Sequence, residues 1–315
     1  MNRERVRIVR RPVHGVLLLD KPSGMSSNHA LQQAKRLLRA EKAGHTGTLD
    51  PLATGLLPLC FGAATKFSQA SLDADKAYRA TLALGRTTRT GDAEGEVLRE
   101  RAVDVSGERI DAACRQFVGR IAQVPPMHSA LKHQGRALYD YARAGIEIER
   151  APREVRISGI DVVEWRDDRL VLDVHCSKGT YVRTLAEDIG EALGCGAHLA
   201  ALRRTASGPL RVEDAHTLDA LAAMGEAERD ALLLPADALL AEWPVLQLDD
   251  DEAGRFLSGL RRRIDARDAE RVRVYAAQRG AFLGSAHVKG GELIADRLLS
   301  PLEVGALSRC PGLAA

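Results

Sequence analysis

The chain of 315 residues contains no CxxC pair, and its five cysteines, Cys60, Cys114, Cys176, Cys195 and Cys310, are scattered and odd in number. That pattern supports neither a disulfide framework nor a cysteine-based zinc site, so the five read as small core residues or free thiols. No apolar run approaches the ~18 to 20 residues of a membrane-spanning helix, and the Arg-rich start is followed by neither an h-region nor a cleavage site. A cytoplasmic protein with no membrane association is expected. An excess of charge of one sign is missing as well. With 45 Lys and Arg against 43 Asp and Glu the formal net charge is +2, so no whole-molecule attraction to nucleic acid exists and only local clusters can supply one. The P-loop pattern, the GxSxG elbow and HExxH are all absent, and the nine histidines form no ligand cluster with cysteines and carboxylates. No metal and no cofactor is expected. Internal repeats of about 20 to 50 residues are missing too.

What remains is an ordinary globular composition, 45% hydrophobic and 28% charged, in a chain long enough for two cores. Basic residues gather locally. Arg3, Arg5, Arg7, Arg10 and Arg11 face the single acid Glu4 in residues 1–11, and Arg203-Arg204 and Arg261-Arg262-Arg263 form further clusters. Each is either a solvated face or a phosphate contact.

Val16-Leu17-Leu18-Leu19, closed by Asp20-Lys21-Pro22-Ser23-Gly24, predicts a buried strand and a turn. A helix follows, capped by Ser26 or Ser27, with Ala30, Leu31, Ala34, Leu37 and Leu38 at helical spacing. Tyr78, Ala80, Leu82 and Leu84 alternate as on a half-buried strand. Gly91, Asp92 and Gly95 mark a turn, and Ile110, Ala113, Cys114, Phe117 and Ile121 outline an amphipathic helix. Residues 125–153 mix Lys132, His133, Arg136, Arg143, Arg150 and Arg153 with Tyr139 and Tyr141, which suits an arm laid on RNA and equally a solvated helical hairpin. Strands return at residues 155–163 and 170–176. Ser177-Lys178-Gly179-Thr180 then turns into a helix carrying Leu185, Ile189 and Leu193 and ending at Gly194. Residues 214–242 read as helical, Trp243-Pro244 as a boundary, and residues 271–278, 281–288 and 292–299 as the strands of a small β module.

One carboxylate stands out. Asp50 sits in Gly44-His45-Thr46-Gly47-Thr48-Leu49-Asp50-Pro51-Leu52-Ala53-Thr54-Gly55, where three glycines and a proline restrict the backbone. Asp followed by Pro is also a common helix start, with Asp as cap and Pro as the first helical residue. Arg183 lies at the start of a predicted helix, where the dipole disfavours a cation by a few tenths up to ~1 kcal/mol, so a carboxylate partner is expected. Tyr78 and Tyr181 bring two phenols to the same end of the sheet, or pack as core residues with satisfied hydroxyls. His45 alone makes no metal site.

These segments resemble TruB-type tRNA pseudouridine-55 synthases. The likeness runs through Gly15 to Gly24, Gly44 to Gly55, Lys76-Ala77-Tyr78-Arg79 and Cys176 to Thr184, in order and over nearly the whole chain, with Thr48 where the family often has Ala and larger departures after Trp243. The resemblance implies an α+β fold: a mixed, largely antiparallel sheet flanked by helices, the pseudouridine synthase fold, with a C-terminal PUA-like β module. It implies a basic segment at 1–11, a catalytic domain at 12–243 with an RNA-contacting arm near 125–153, and an RNA-binding module at 245–311. It implies a stand-alone isomerase acting on the tRNA T-arm, with Asp50 as nucleophile and Arg183 paired to it. Tyr78 would stack on the flipped uridine and is a candidate proton acceptor, while His45, Tyr181 and Leu202 line the pocket. A water-excluded pocket raises a carboxyl pKa by up to ~3 to 5 units and an adjacent arginine lowers it by about 1 to 3, so Arg183 is expected to keep a buried Asp50 anionic. No obligatory protein partner and a monomer are expected. The rivals are an RNA-binding or tRNA-folding module without turnover and a guide-RNA-dependent relative.

Overall fold

The computed structural model describes residues 9–129, 131–278 and 280–307. Arg3, Arg5 and Arg7 of the basic segment, Cys310 and residues 308–311 of the expected C-terminal module lie outside the described residues.

The first strand, Gly15–Lys21, is buried along nearly its whole length because elements cover both of its faces. Leu17 and Leu19 pack in one core with Ala30, Leu31 and Ala34 of the helix Ser27–Leu37. Val16 and Leu18 turn into another core with Phe67 and Leu239. Ser26 caps that helix, its hydroxyl accepting from the His29 N–H at 3.2 Å. Strand Gly15–Lys21 then pairs antiparallel with Thr54–Phe61, from Gly15 opposite Phe61 to Lys21 opposite Gly55.

From there the sheet runs through Ala197–Ser207, Lys76–Leu84, Arg169–Cys176 and Arg153–Arg166 to Gly119–Gln123, with Ala43–His45 and Leu210–Arg211 added at the side. Its nine strands pair antiparallel except at one place. There Thr54–Phe61 meets Ala197–Ser207 in parallel, through Arg203 opposite Thr54 and Arg204 opposite Gly55. The mixed, largely antiparallel sheet is as expected. The helix Val182–Leu193 covers one face through Leu185, Ile189 and Leu193, packed with Leu82, Leu172 and Val174. It stops at Gly194, whose φ of +86° is the left-handed cap that favours glycine.

Two readings of the sequence need correction, and one strand went unread. The helix Gly107–Gln116 ends before Ile121, which lies on the strand Gly119–Gln123. Residues 214–242 hold two six-residue helices, Leu218–Ala223 and Glu226–Ala231. Thr217 caps the first, and the Gly225 N–H restarts the chain by donating to Glu228 at 2.6 Å, so local capping interrupts the helical period. Residues 197–207, which carry no clear alternation, form a central strand of the sheet.

The last sheet orders Val245–Leu248, Ala269–Ala276, Ala281–Lys289, Glu292–Leu298 and Arg262–Arg263. Its three long strands match the runs read from sequence. Two short strands and the helix Asp250–Leu257 did not show there. Phe282 and Leu299 join the core that holds Val16 and Leu56, and the Phe67 and Phe282 rings lie 5.1 Å apart.

Candidate active site

The Asp50 loop is tied down on both sides of the carboxylate. The Leu49 N–H donates to the Ser27 hydroxyl at 2.8 Å, and that hydroxyl donates to the Leu49 carbonyl at 2.9 Å. The Pro51 carbonyl accepts from the Gly24 N–H at 2.9 Å and from the Lys21 ammonium at 3.4 Å. Lys21 is fully buried and also donates to the carbonyls of Pro22 and Met25, at 2.8 and 2.7 Å. Burial pushes its pKa down to about 8, against the attraction of Asp50 and Glu94.

No helix begins at Pro51. The Ala53 N–H closes a turn onto the Asp50 carbonyl at 3.1 Å and a strand starts at Thr54, so the carboxylate is not a helix cap. Gly47 and Gly55 take left-handed φ values of +70° and +95°, whereas Gly44 lies on the short strand Ala43–His45 without one. Backbone freedom is thus required at two of the three glycines.

Arg183 is the second residue of its helix and only 8% exposed at the side chain. Its guanidinium reaches Asp50 Oδ2 at 3.0 Å and Asp92 Oδ2 at 3.5 Å. It also donates to the Thr90 and His128 carbonyls at 3.2 and 2.6 Å. Two carboxylates offset the unfavourable placing of a cation near a helix N-terminus. Asp92 is buried in the turn that holds it, with Thr90 and the Glu94 N–H on its other oxygen. Sequence reasoning saw that acid only as a turn former, since nothing local signals its burial. Asp50 itself is 46% exposed, so the enclosed carboxylate expected from the sequence is not present in the free chain. One turn beyond Arg183, Glu187 has its pKa pushed up to about 7, first by burial and then by Asp188.

Tyr78 stands opposite Val174 on one neighbouring strand and Arg204 on the other, and its ring packs against two cores. Burial raises its phenol pKa while Arg204 opposes the rise. Tyr181, just before the Arg183 helix, is held by the buried Gln123 amide, which accepts from the Tyr181 N–H at 3.1 Å and donates to its carbonyl at 3.3 Å. Leu202 packs against the same two cores, and its carbonyl accepts from Thr54 Oγ1 at 3.3 Å.

Asp50, Tyr78, Tyr181, Arg183 and Leu202 line one cavity of about 280 Å3. His45 shares a cavity with Asp50 and Arg183 but not with Tyr78, Tyr181 and Leu202. That cavity, of about 570 Å3, adjoins the first, and Thr48, Leu49, Asp50, Ser129 and Arg183 line both. Burial, reinforced by Arg204, holds the His45 imidazole below its ordinary pKa, and its Nδ1 is buried without a partner among the described residues.

The paired arginines do not reach outward together. Arg203 makes a bidentate pair with Asp20 at 3.0 and 2.8 Å, and Arg204 is 1% exposed, because successive residues of a strand face opposite ways. Arg10 and Arg11 also have partners, the Ala40 carbonyl at 2.9 Å and Asp230 at 2.8 Å. Near the arm, Arg136 and Arg143 lie 4.7 and 5.4 Å from the centres of the Tyr141 and Tyr139 rings. Among the described residues no group of three or more His, Cys, Asp or Glu side chains is placed to hold a metal. Chemically the arrangement offers an exposed carboxylate beside a fixed cation, with a flat aromatic and an aliphatic wall for a planar ring.

Three family models match in succession: the TruB family pseudouridylate synthase N-terminal domain over residues 35–182, the tRNA pseudouridylate synthase B C-terminal domain over 183–241, and the pseudouridine synthase II TruB C-terminal model over 244–299. The chain is 59% identical over 307 residues to the tRNA pseudouridine synthase B of Verminephrobacter eiseniae, covering 95% of this chain and 93% of that one. It is 59% identical over 295 residues to the protein of that name from Thiobacillus denitrificans, covering 93% and 98%. Among solved structures, a chain of a Cbf5–Nop10–Gar1 complex superposes with a TM-score of 0.73 at 26% identity, covering 95% of this chain and 89% of that one. A chain of the archaeal box H/ACA Nop10–Cbf5 complex superposes with a TM-score of 0.70 at 25% identity, covering 93% and 88%.

Proposed function

Since the chain belongs to the TruB family of pseudouridylate synthases, we propose that it isomerises a uridine of tRNA to pseudouridine, at position 55 of the T-loop, with Asp50 as the nucleophile. The observation that carries this is the exposed Asp50 carboxylate held 3.0 Å from a buried arginine at the edge of a cavity bounded by Tyr78 and Leu202.

The target base is stacked within a folded loop and must be flipped out at a cost of a few kcal/mol. Stacking on Tyr78, at roughly 1 to 3 kcal/mol per base, offsets part of that. His45, in the adjoining cavity, fills the space left behind. Bound RNA covers the open side of Asp50, and Arg183 then serves as counter-ion to a carboxylate with less water around it. A carboxylate oxygen forms a bond at C1′ or at C6 of the base, and the bond from N1 to C1′ breaks. The base turns and C5 bonds to C1′, the Asp50 oxygen leaving C1′ in the first route or C6 in the second so that the carboxylate is regenerated; the C5 proton departs and N1 gains one. Atoms and electrons balance without an oxidant. Tyr78 and the solvent are the available acceptors for the C5 proton.

The proposed division assigns residues 12–243 to catalysis, 125–153 to an RNA-contacting arm and 245–311 to a PUA-like RNA-binding module. The chain acts alone, as a monomer, in the cytoplasm where tRNA is matured. Purified protein and an unmodified T-arm hairpin test this together. Pseudouridine formed by the protein alone supports it. Binding without product would instead assign an RNA-binding or folding module, and turnover only with an added guide RNA would assign the guide-dependent class.

A further inference from the structure

Arg204 is the largest fully buried side chain in the described structure, and among the described residues no carboxylate pairs with it. Its Nε donates to the Leu56 carbonyl at 2.6 Å and its Nη2 to the Gly47 carbonyl at 3.0 Å. Tyr78 is its direct partner across the antiparallel register, and both residues line the Asp50 cavity, which sets the guanidinium beside the phenol. A buried cation without a counter-ion is expensive, and a structural strut of this kind is ordinarily replaced by apolar packing at no loss of stability. Its position shows what it connects. Gly47 opens the turn that leads to Asp50, and a Cβ there would lie 3.1 Å from Arg204 Nη1. Gly55 closes the same loop, and a Cβ there would lie 2.3 Å from the Arg204 carbonyl. The Gly47 end of the loop therefore lies against the guanidinium, which also holds the Leu56 carbonyl just past the other end, whereas Gly55 meets the Arg204 backbone.

We propose that Arg204 is a positioning residue for the isomerisation, setting the separation between the Tyr78 ring and the Asp50 carboxylate by holding the Tyr78 hydroxyl and the Gly47 turn on one planar fork. This rests on the reaction assigned above. Its chemistry follows from the donor geometry: the guanidinium fixes two N–H groups on the Leu56 and Gly47 carbonyls and leaves further N–H groups of the same plane for the neighbouring phenol, which a lysine cannot reproduce. A ring displaced by about 1 Å leaves the flipped base out of line with the carboxylate, which costs up to about a hundredfold in rate.

The test is a double-mutant cycle on single-turnover pseudouridine formation. Arg204→Lys should slow turnover by about tenfold or more, with RNA Kd within about threefold of the natural protein. In a Tyr78→Phe background, which lacks the hydroxyl, Arg204→Lys should have little further effect. Equal losses in both backgrounds, or a loss confined to Kd, would overturn the proposal. A readout independent of turnover separates it from the reaction itself. Among the five tyrosines, the 13Cζ resonance of Tyr78, identified by its loss in Tyr78→Phe, should move in Arg204→Lys while the others stay. An unmoved Tyr78 signal overturns the contact, whereas absence of pseudouridine from the natural protein overturns the reaction instead. Should Arg204→Lys fail to fold, Tyr78→Phe decides through its pH–rate profile: slower turnover at unchanged RNA affinity with the natural pH dependence supports the strut, whereas natural turnover, or a changed pH dependence that marks a lost proton acceptor, refutes it.

Discussion

Arg183 and Asp50 form an unequal pair: Nη2 and Oδ2 are 3.0 Å apart, yet the arginine side chain is 8% exposed and the aspartate 46%. The cation is fixed by Asp92 and two carbonyls, while the carboxylate keeps an open side toward the cavity. Such an arrangement anchors the counter-ion and leaves the reacting group accessible.

Arg183→Lys should lower single-turnover formation of pseudouridine by at least about a hundredfold, because an ammonium cannot span Asp50, Asp92 and the His128 carbonyl from one plane. RNA affinity should change by less than about threefold. Asp92→Asn removes the buried counter-ion and should slow the reaction by about tenfold or more at unchanged affinity. Near-natural rates in both would remove the fixed cation from the mechanism.

Glu187 gives the protein a pH signature in stability. Its carboxyl pKa stands near 7 when folded, against an ordinary value of 4.5, with burial as the main cause. Between those values the folded state binds the extra proton, so the stability this group supplies is present at low pH and lost as pH rises through 7. Glu187→Gln, which stays neutral, should therefore be progressively more stable relative to the natural protein from pH 5 to 8, by about 1 to 3 kcal/mol at the upper end. Denaturant unfolding at several pH values measures this. A difference that is flat with pH would show that Glu187 titrates like a solvated carboxylate.

Gly55→Ala should destabilise the fold by about 2 kcal/mol or more, since φ is +95° and the new methyl would meet the Arg204 carbonyl at 2.3 Å. Thermal unfolding checks it. A Tm within a degree of the natural protein would mean that the parallel junction gives way easily.

Arg203 is occupied by Asp20, so Arg203→Gln should change the salt dependence of RNA binding by much less than the loss of one phosphate contact, a slope change of about 1. A full unit of slope would show that the pair opens onto RNA.

Much of this site was legible from chemistry alone. A carboxylate between turn-forming glycines and a cation at a helix start each needed a partner, and they found one another. Tyr78 was placed by its strand period. Asp92 stayed hidden because a turn acid needs no burial to be explained. Arg204 stayed hidden for a related reason: the strand Ala197–Ser207 lies between two others, and its side chains alternate too weakly in character to show which arginine faces inward. Nor does sequence distance suggest that His45, which shares a cavity with Asp50, lies apart from Tyr78 and Tyr181. In the C-terminal sheet the long strands were readable, but strands of four and two residues and a helix of acidic and apolar residues carry too little periodicity.

The most direct test is Asp50→Asn, assayed with an unmodified T-arm hairpin under single-turnover conditions. Carboxamide for carboxylate preserves shape but removes the nucleophile, so turnover should fall by at least about a thousandfold while RNA Kd stays within about threefold. Pseudouridine formation at more than about a tenth of the natural rate would contradict Asp50 as the attacking group.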